Sequence, residues 1–249
     1  MIHCKNCGLD FDGNFCPQCG QKDLELRRPI VALIGEVLQE TFDVDGRAAR
    51  TLWTMLRHPG VLTRDYLDGK RRLYSSPFRL YLIVSVLFFV LAAWVAGQGA
   101  LLNEGQTDSA DALGQARLFS DYVPKLMFFL LPVFALILKL VFRKRFFFDH
   151  LIHSLHLHSV AYLVLAFMLP LEKLAAESVL AMAIQLLLLI YMLTSFVTSV
   201  VRVYRVGWVL ASAKSLGIVL LYMALVAGVF ESVTEVMMPG SPSQPFLTD

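Results

Sequence analysis

Five apolar runs leave this chain few ways to fold. They fall at about Arg79–Gly97, Val123–Phe142, Phe147–Leu171, Val179–Val201 and Trp208–Phe230. Each is near the roughly 20 residues that carry a helix across a bilayer. In lipid the backbone must satisfy its own N–H and C=O groups within the segment, so these runs predict helices. Composition agrees. The chain of 249 residues is 57% hydrophobic and 17% charged, whereas a soluble domain is about a quarter charged. That length suits one membrane bundle with small attachments. The opening residues are cysteines rather than an apolar h-region, which predicts no signal peptide.

Charge orients the runs. Lys70, Arg71, Arg72 and Arg79 precede or open the first; Arg143, Lys144 and Arg145 separate the second from the third; Arg202 and Arg205 separate the fourth from the fifth. The remaining connections are acidic, with Glu104, Asp108, Asp111 and Asp121 in one and Glu172 and Glu177 in another. With five spans every basic loop falls on one side, the positive-inside pattern. The expected location is therefore a multi-pass protein of the inner membrane, with a cytoplasmic N-terminus and the C-terminus outside. The basic residues at these boundaries are candidate contacts for lipid headgroups. The net charge of +2 is small, and no basic-aromatic platform accompanies it, so nucleic acid is not an expected partner.

All four cysteines lie at the start, at Cys4, Cys7, Cys16 and Cys19. Each pair is Cys-x-x-Cys followed by glycine, and two such halves hold four thiolates in tetrahedral zinc geometry at about 2.3 Å per bond. Gly8 and Gly20 allow the positive φ that turns backbone N–H groups toward sulfur. A cytoplasmic N-terminus keeps the thiols reduced. One structural zinc is expected; iron in the same sulfurs and disulfides are the rival readings. Four sulfur ligands leave no open position for catalysis. The piece is too small for a core of its own, so metal would fold it, with docking of a protein partner as a sharper alternative.

Between this ribbon and the first span, apolar residues from Ile30 to Phe42 recur at helical period after Pro29. A second helix sets Ala49, Leu52, Trp53 and Leu56 on one face and ends at His58-Pro59-Gly60. A short third piece, Val61 to Leu67, leads into the basic box. These helices are expected on the inner leaflet, apolar face down, with arginines at headgroups. A small soluble helical domain is the alternative. The division expected is 1–21 zinc ribbon, 22–78 cytoplasmic amphipathic helices, 79–238 transmembrane domain and 239–249 disordered tail. The fold class is thus an all-α membrane protein of about five transmembrane helices, preceded by a zinc ribbon and amphipathic juxtamembrane helices.

One span carries the titratable groups. Asp149, His153 and His156 share a helical side by their spacing; His150 lies beside that arc, and His158 points elsewhere. Polar groups in a spanning helix face the bundle or a wet cavity. Three readings stand. The side chains could contact other helices and lipid phosphates, relay protons, or ligate a metal. A metal site would need ligands from a second segment, and the other histidines are His3 and His58.

Several stretches together resemble a known family. They are Cys-x-x-Cys-Gly through Phe-Cys-x-x-Cys-Gly-Gln, His-Pro-Gly, Tyr-Leu-Asp-Gly-Lys-Arg-Arg-Leu-Tyr-Ser-Ser-Pro-Phe-Arg, and Asp-His-Leu-Ile-His-Ser-Leu-His-Leu-His-Ser. They look like a bacterial inner-membrane family of unknown function with an N-terminal zinc ribbon. The resemblance implies a zinc-ribbon membrane protein and supplies neither activity nor substrate. Three functions are carried forward. A non-enzymatic module binding lipid or protein partners comes first, then a transporter or lipid-translocating protein using the histidine face, then a membrane metalloenzyme.

Overall fold

The computed structural model describes residues 2–21, 47–102, 123–175 and 178–237. The expected helix from Ile30 to Phe42, most of the polar loop before Asp121 and the tail from 239 lie outside the described residues. A two-stranded antiparallel hairpin, β1 (Ile2–His3) and β2 (Asp10–Phe11), is followed by helices α1 (Arg47–Arg57), α2 (Val61–Leu67), α3 (Pro77–Leu102), α4 (Val123–Val141), α5 (Phe147–Met168), α6 (Leu171–Ala175), α7 (Val179–Tyr204) and α8 (Trp208–Met237). Five of them, α3, α4, α5, α7 and α8, are long and apolar enough to cross a membrane. The protein is an all-α, multi-pass membrane protein with a cysteine cluster at its N-terminus.

Helix ends follow local chemistry. Pro77 opens α3, where the missing N–H costs nothing. The expected third span ran to Leu171, but α5 stops at Met168 and α6 begins at Leu171. Pro170 has no N–H to give to the preceding turn and its ring crowds the carbonyl four residues back, which favours a break there. Helices α3 and α8 run past the expected ends, to Leu102 and Met237. Apolarity marks the span; hydrogen bonding carries the helix further.

Helix α5 is the centre of the bundle and packs against α3, α4 and α7. Of its most apolar stretch 56% is buried, against 11% for α8. Lipid tails are as apolar as leucine, so close packing rather than water exclusion joins these helices, and small residues favour it. Ser154, Ser159, Ala135 and Ala211 are all fully buried. An aromatic knot of Tyr81, Phe88 and Tyr162 closes the α3–α5 contact, with Phe88 stacked on Tyr162 at 5.0 Å.

The α1–α2 hairpin packs against the spans. Its buried face is Thr51, Met55, Leu62 and Thr63, packed on α5 and α7. Trp53, placed on the apolar face by its spacing, is 63% exposed and lies beneath the Arg57 guanidinium at 5.4 Å. Hydrogen bonds decide the orientation. Thr51 Oγ1 accepts the Ser75 N–H at 2.9 Å. Tyr191 donates to the Leu56 carbonyl at 2.7 Å, and Arg202 donates to the Pro59 carbonyl at 2.7 Å. These helices are docked on the bundle end rather than held by lipid alone.

Candidate metal centre and histidine network

The two cysteine halves fold alike. The Cys4 N–H reaches the Leu9 carbonyl and the Cys16 N–H the Gln21 carbonyl, each at 2.9 Å; Gly8 and Gly20 close their turns onto Cys4 and Cys16 at 2.8 Å. Both glycines have positive φ, +83° and +68°. The turns bring four sulfurs together: Cys4 and Cys19 Sγ lie 3.6 Å apart, Cys7 and Cys16 Sγ 3.5 Å. All four lie within 4.8 Å of one another, and all four thiols are free. A tetrahedron with metal–sulfur bonds of about 2.3 Å has edges of about 3.8 Å, so the cluster fits such an ion.

The thiols are already polarised unequally. Burial raises the Cys4 thiol, but the N–H groups of Cys7 and Asn6 outweigh it and lower it to about 6. At Cys7 the Leu9 N–H lowers the value, while burial and the neighbouring sulfurs push it up to about 12. A divalent cation among the sulfurs would remove that repulsion by holding all four as thiolates.

The cluster is docked on the basic box. Gln21 donates from Nε2 to the Gly69 carbonyl at 2.7 Å, and its Oε1 accepts the Arg71 N–H at 3.2 Å. Arg72 Nε donates to the Cys19 carbonyl at 2.9 Å. Lys5 lies so close to Gly69 that a Cβ there would meet its Cδ at 2.6 Å. Asp65 braces the box from behind, 3.8 Å from Lys70 Nζ and accepting from Tyr74 at 3.3 Å. Burial, and then the charge of Asp65, hold the Tyr74 phenol above its usual value.

The expected headgroup residues therefore divide. Lys70, Arg72, Arg143 and Lys144 are exposed. Arg71 lies over the Tyr66 ring at 5.2 Å. Arg145 turns inward, donating to the Val203 carbonyl at 2.9 Å and lying 3.9 Å from Asp149. Arg79, in the first turn of α3, is only 8% exposed within the chain.

The four histidines of α5 are buried. Tyr204 OH lies 2.8 Å from His150 Nδ1 and 3.1 Å from His153 Nδ1. His153 Nε2 is 2.7 Å from Ser199 Oγ. His156 Nδ1 is 2.9 Å from Thr63 Oγ1. His158 Nε2 is 2.9 Å from Tyr222 OH, and its Nδ1 donates to the Ser154 carbonyl at 2.9 Å. Asp149 and His153, which share a helical side by spacing, make their contacts with different partners. Both ring nitrogens of His153 go to α7, and Asp149 faces Arg145.

Residues 45–89 match the model of a family described as Protein of unknown function (DUF3667). That stretch carries α1, the His58-Pro59-Gly60 turn, α2, the basic box and the first half of α3. The cysteines and the histidine run lie outside it. No curated protein and no solved structure matches the chain.

Sequence reasoning missed Tyr204, Ser199, Thr63 and Tyr222, single polar residues in apolar or mixed segments with no spacing to mark them. Gln21 had one signal, its place directly after the second Cys-Gly.

Proposed function

We propose that the protein is a non-enzymatic membrane module that holds one structural zinc in Cys4, Cys7, Cys16 and Cys19 and binds anionic lipid headgroups with the basic end of its bundle. The observation that carries this reading is the docking of the cysteine hairpin on the basic box through Gln21 and Arg72. Zinc, by folding the hairpin, sets the box from which Lys70 projects. Arg143 and Lys144 stand exposed at the α4–α5 turn. Contacts of Arg145 with Val203 and of Lys214 with Val141 bring the α4–α5 and α7–α8 connections together. Each exposed cation adds about 1 kcal/mol of attraction to an anionic leaflet. The positive-inside pattern supports a cytoplasmic side for this end and an outside C-terminus, and an inner membrane is the proposed location.

Native mass spectrometry of the full-length protein, with phosphatidylglycerol or phosphatidylcholine added, tests the reading. Phosphatidylglycerol should be retained preferentially. Lys70→Gln, Arg143→Gln and Lys144→Gln together should remove the preference, and zinc chelation should weaken it. Equal retention of both lipids by the unaltered protein overturns it.

A further inference from the structure

Two imidazole nitrogens at the basic end, His150 Nε2 and His156 Nε2, are buried with no hydrogen-bond partner among the described residues. Leaving such a group unmade costs about 1–3 kcal/mol. His156 lines a cavity of about 10 Å³ shared with Gly60, Thr63, Ser195 and Ser199. That is room for about one water, and a buried water needs two to four polar partners. Thr63, Ser195, Ser199 and His156 are among its lining residues, and such residues carry the hydroxyls and ring nitrogen that a water takes as partners.

Ser199 joins this cavity to the other rings. Its Oγ lies 2.7 Å from His153 Nε2, His153 Nδ1 lies 3.1 Å from Tyr204 OH, and Tyr204 OH lies 2.8 Å from His150 Nδ1. A single hydroxyl proton sits between two Nδ1 atoms. Tyr204 can donate to one ring and must accept an N–H from the other. Neutral His150 and His153 therefore carry their protons on opposite nitrogens. With His150 protonated at Nδ1, His153 is protonated at Nε2 and donates to Ser199. The Ser199 hydroxyl is then free to donate into the cavity.

We infer that the cavity holds one ordered water and that His150, Tyr204, His153, Ser199, this water and His156 form a proton relay of aligned donors. The step balances internally. Protonated His150 gives its Nδ1 proton to Tyr204 as Tyr204 gives its own to His153 Nδ1. His153 passes its Nε2 proton to Ser199, Ser199 passes one to the water, and the water passes one to His156 Nε2. Five N–H or O–H bonds break and five form. The positive charge moves from His150 to His156, and His153 is left in the opposite tautomer. His158, bonded to Tyr222 and the Ser154 carbonyl, stands outside the path. The relay does not depend on lipid binding at the basic end.

Nitrogen NMR on the full-length protein with labelled histidine in lipid nanodiscs tests it, each ring being assigned by a single His→Gln variant. The expected result is opposite tautomers for His150 and His153, a water contact at His156 Nε2, and exchange between two mirrored tautomer sets. Ser199→Ala should abolish that exchange, and Tyr204→Phe should uncouple the His150 and His153 tautomers. The same tautomer at His150 and His153, no water at His156, or one fixed set without exchange overturns the relay.

Discussion

Thr63 and His156 stand 93 residues apart in the chain, yet Oγ1 and Nδ1 meet at 2.9 Å in a buried contact. This bond ties the α1–α2 hairpin to the central span. Removing one member strands the other in a buried site at a cost of about 1–3 kcal/mol. Thr63→Val keeps the shape and removes the hydroxyl. It should lower the thermal midpoint of the purified protein in detergent, and His156→Ala should lower it further by adding a void. An unchanged midpoint in both would show that the contact carries no stability.

His158 separates the spacing argument from the tertiary one. By spacing it lies off the Asp149, His153 and His156 side and should matter least. In the fold it has a buried partner, Tyr222, at 2.9 Å. His158→Ala and Tyr222→Phe should therefore each destabilise the protein, by about 1–3 kcal/mol for the group left unpaired. Neither should alter the Ser199-dependent tautomer exchange. Thermal unfolding and the histidine spectra check the two halves.

Gly60 and Gly217 make a matched pair. At Gly60 φ is +81° and an added Cβ would meet the Ser199 Cα at 2.8 Å, backbone that cannot step aside; at Gly217 it would meet nothing within 4 Å. Gly60→Ala should destabilise by more than about 1 kcal/mol, since both conformation and space oppose it. Gly217→Ala, inside α8, should be neutral or gain up to about 1 kcal/mol from helix propensity. Comparable midpoints for the two variants would contradict the close approach of the His58-Pro59-Gly60 turn to α7.

Metal content tests the cysteine cluster. Four thiolates make one closed site, so purified protein should carry about one zinc per chain by elemental analysis. Cys7→Ser with Cys16→Ser should abolish it. Because Gln21 follows the second half directly, loss of metal should also free the Arg71 amide from the Gln21 side chain, seen as faster hydrogen exchange there. Stoichiometric metal in the double variant would show that other residues bind it.

Topology reporters check the orientation. Fusions after Asp111 and at Asp249 should report outside, and fusions after Lys144 and Arg205 inside. A cytoplasmic C-terminus would require an even number of crossings and would put the basic loops on both sides.

The sequence alone determined the spans and the cysteine cluster, because both rest on local chemistry. Apolar length is counted along the chain, and two Cys-x-x-Cys-Gly halves each fold within a few residues. The Pro170 break is equally local, although the apolar run through Leu171 hid it. The tertiary structure decided the rest. Which side of α1 is buried depends on Ser75 finding Thr51, not on where Trp53 falls in the helical period. Whether Arg79 meets lipid depends on what packs around α3. The histidines share partners only because α2, α7 and α8 bring Thr63, Ser199, Tyr204 and Tyr222 to them. A lone hydroxyl in an apolar helix carries no periodic signal. Its worth appears only when a neighbouring helix sets a nitrogen within about 3 Å in a medium without water, where an unmade hydrogen bond is costly.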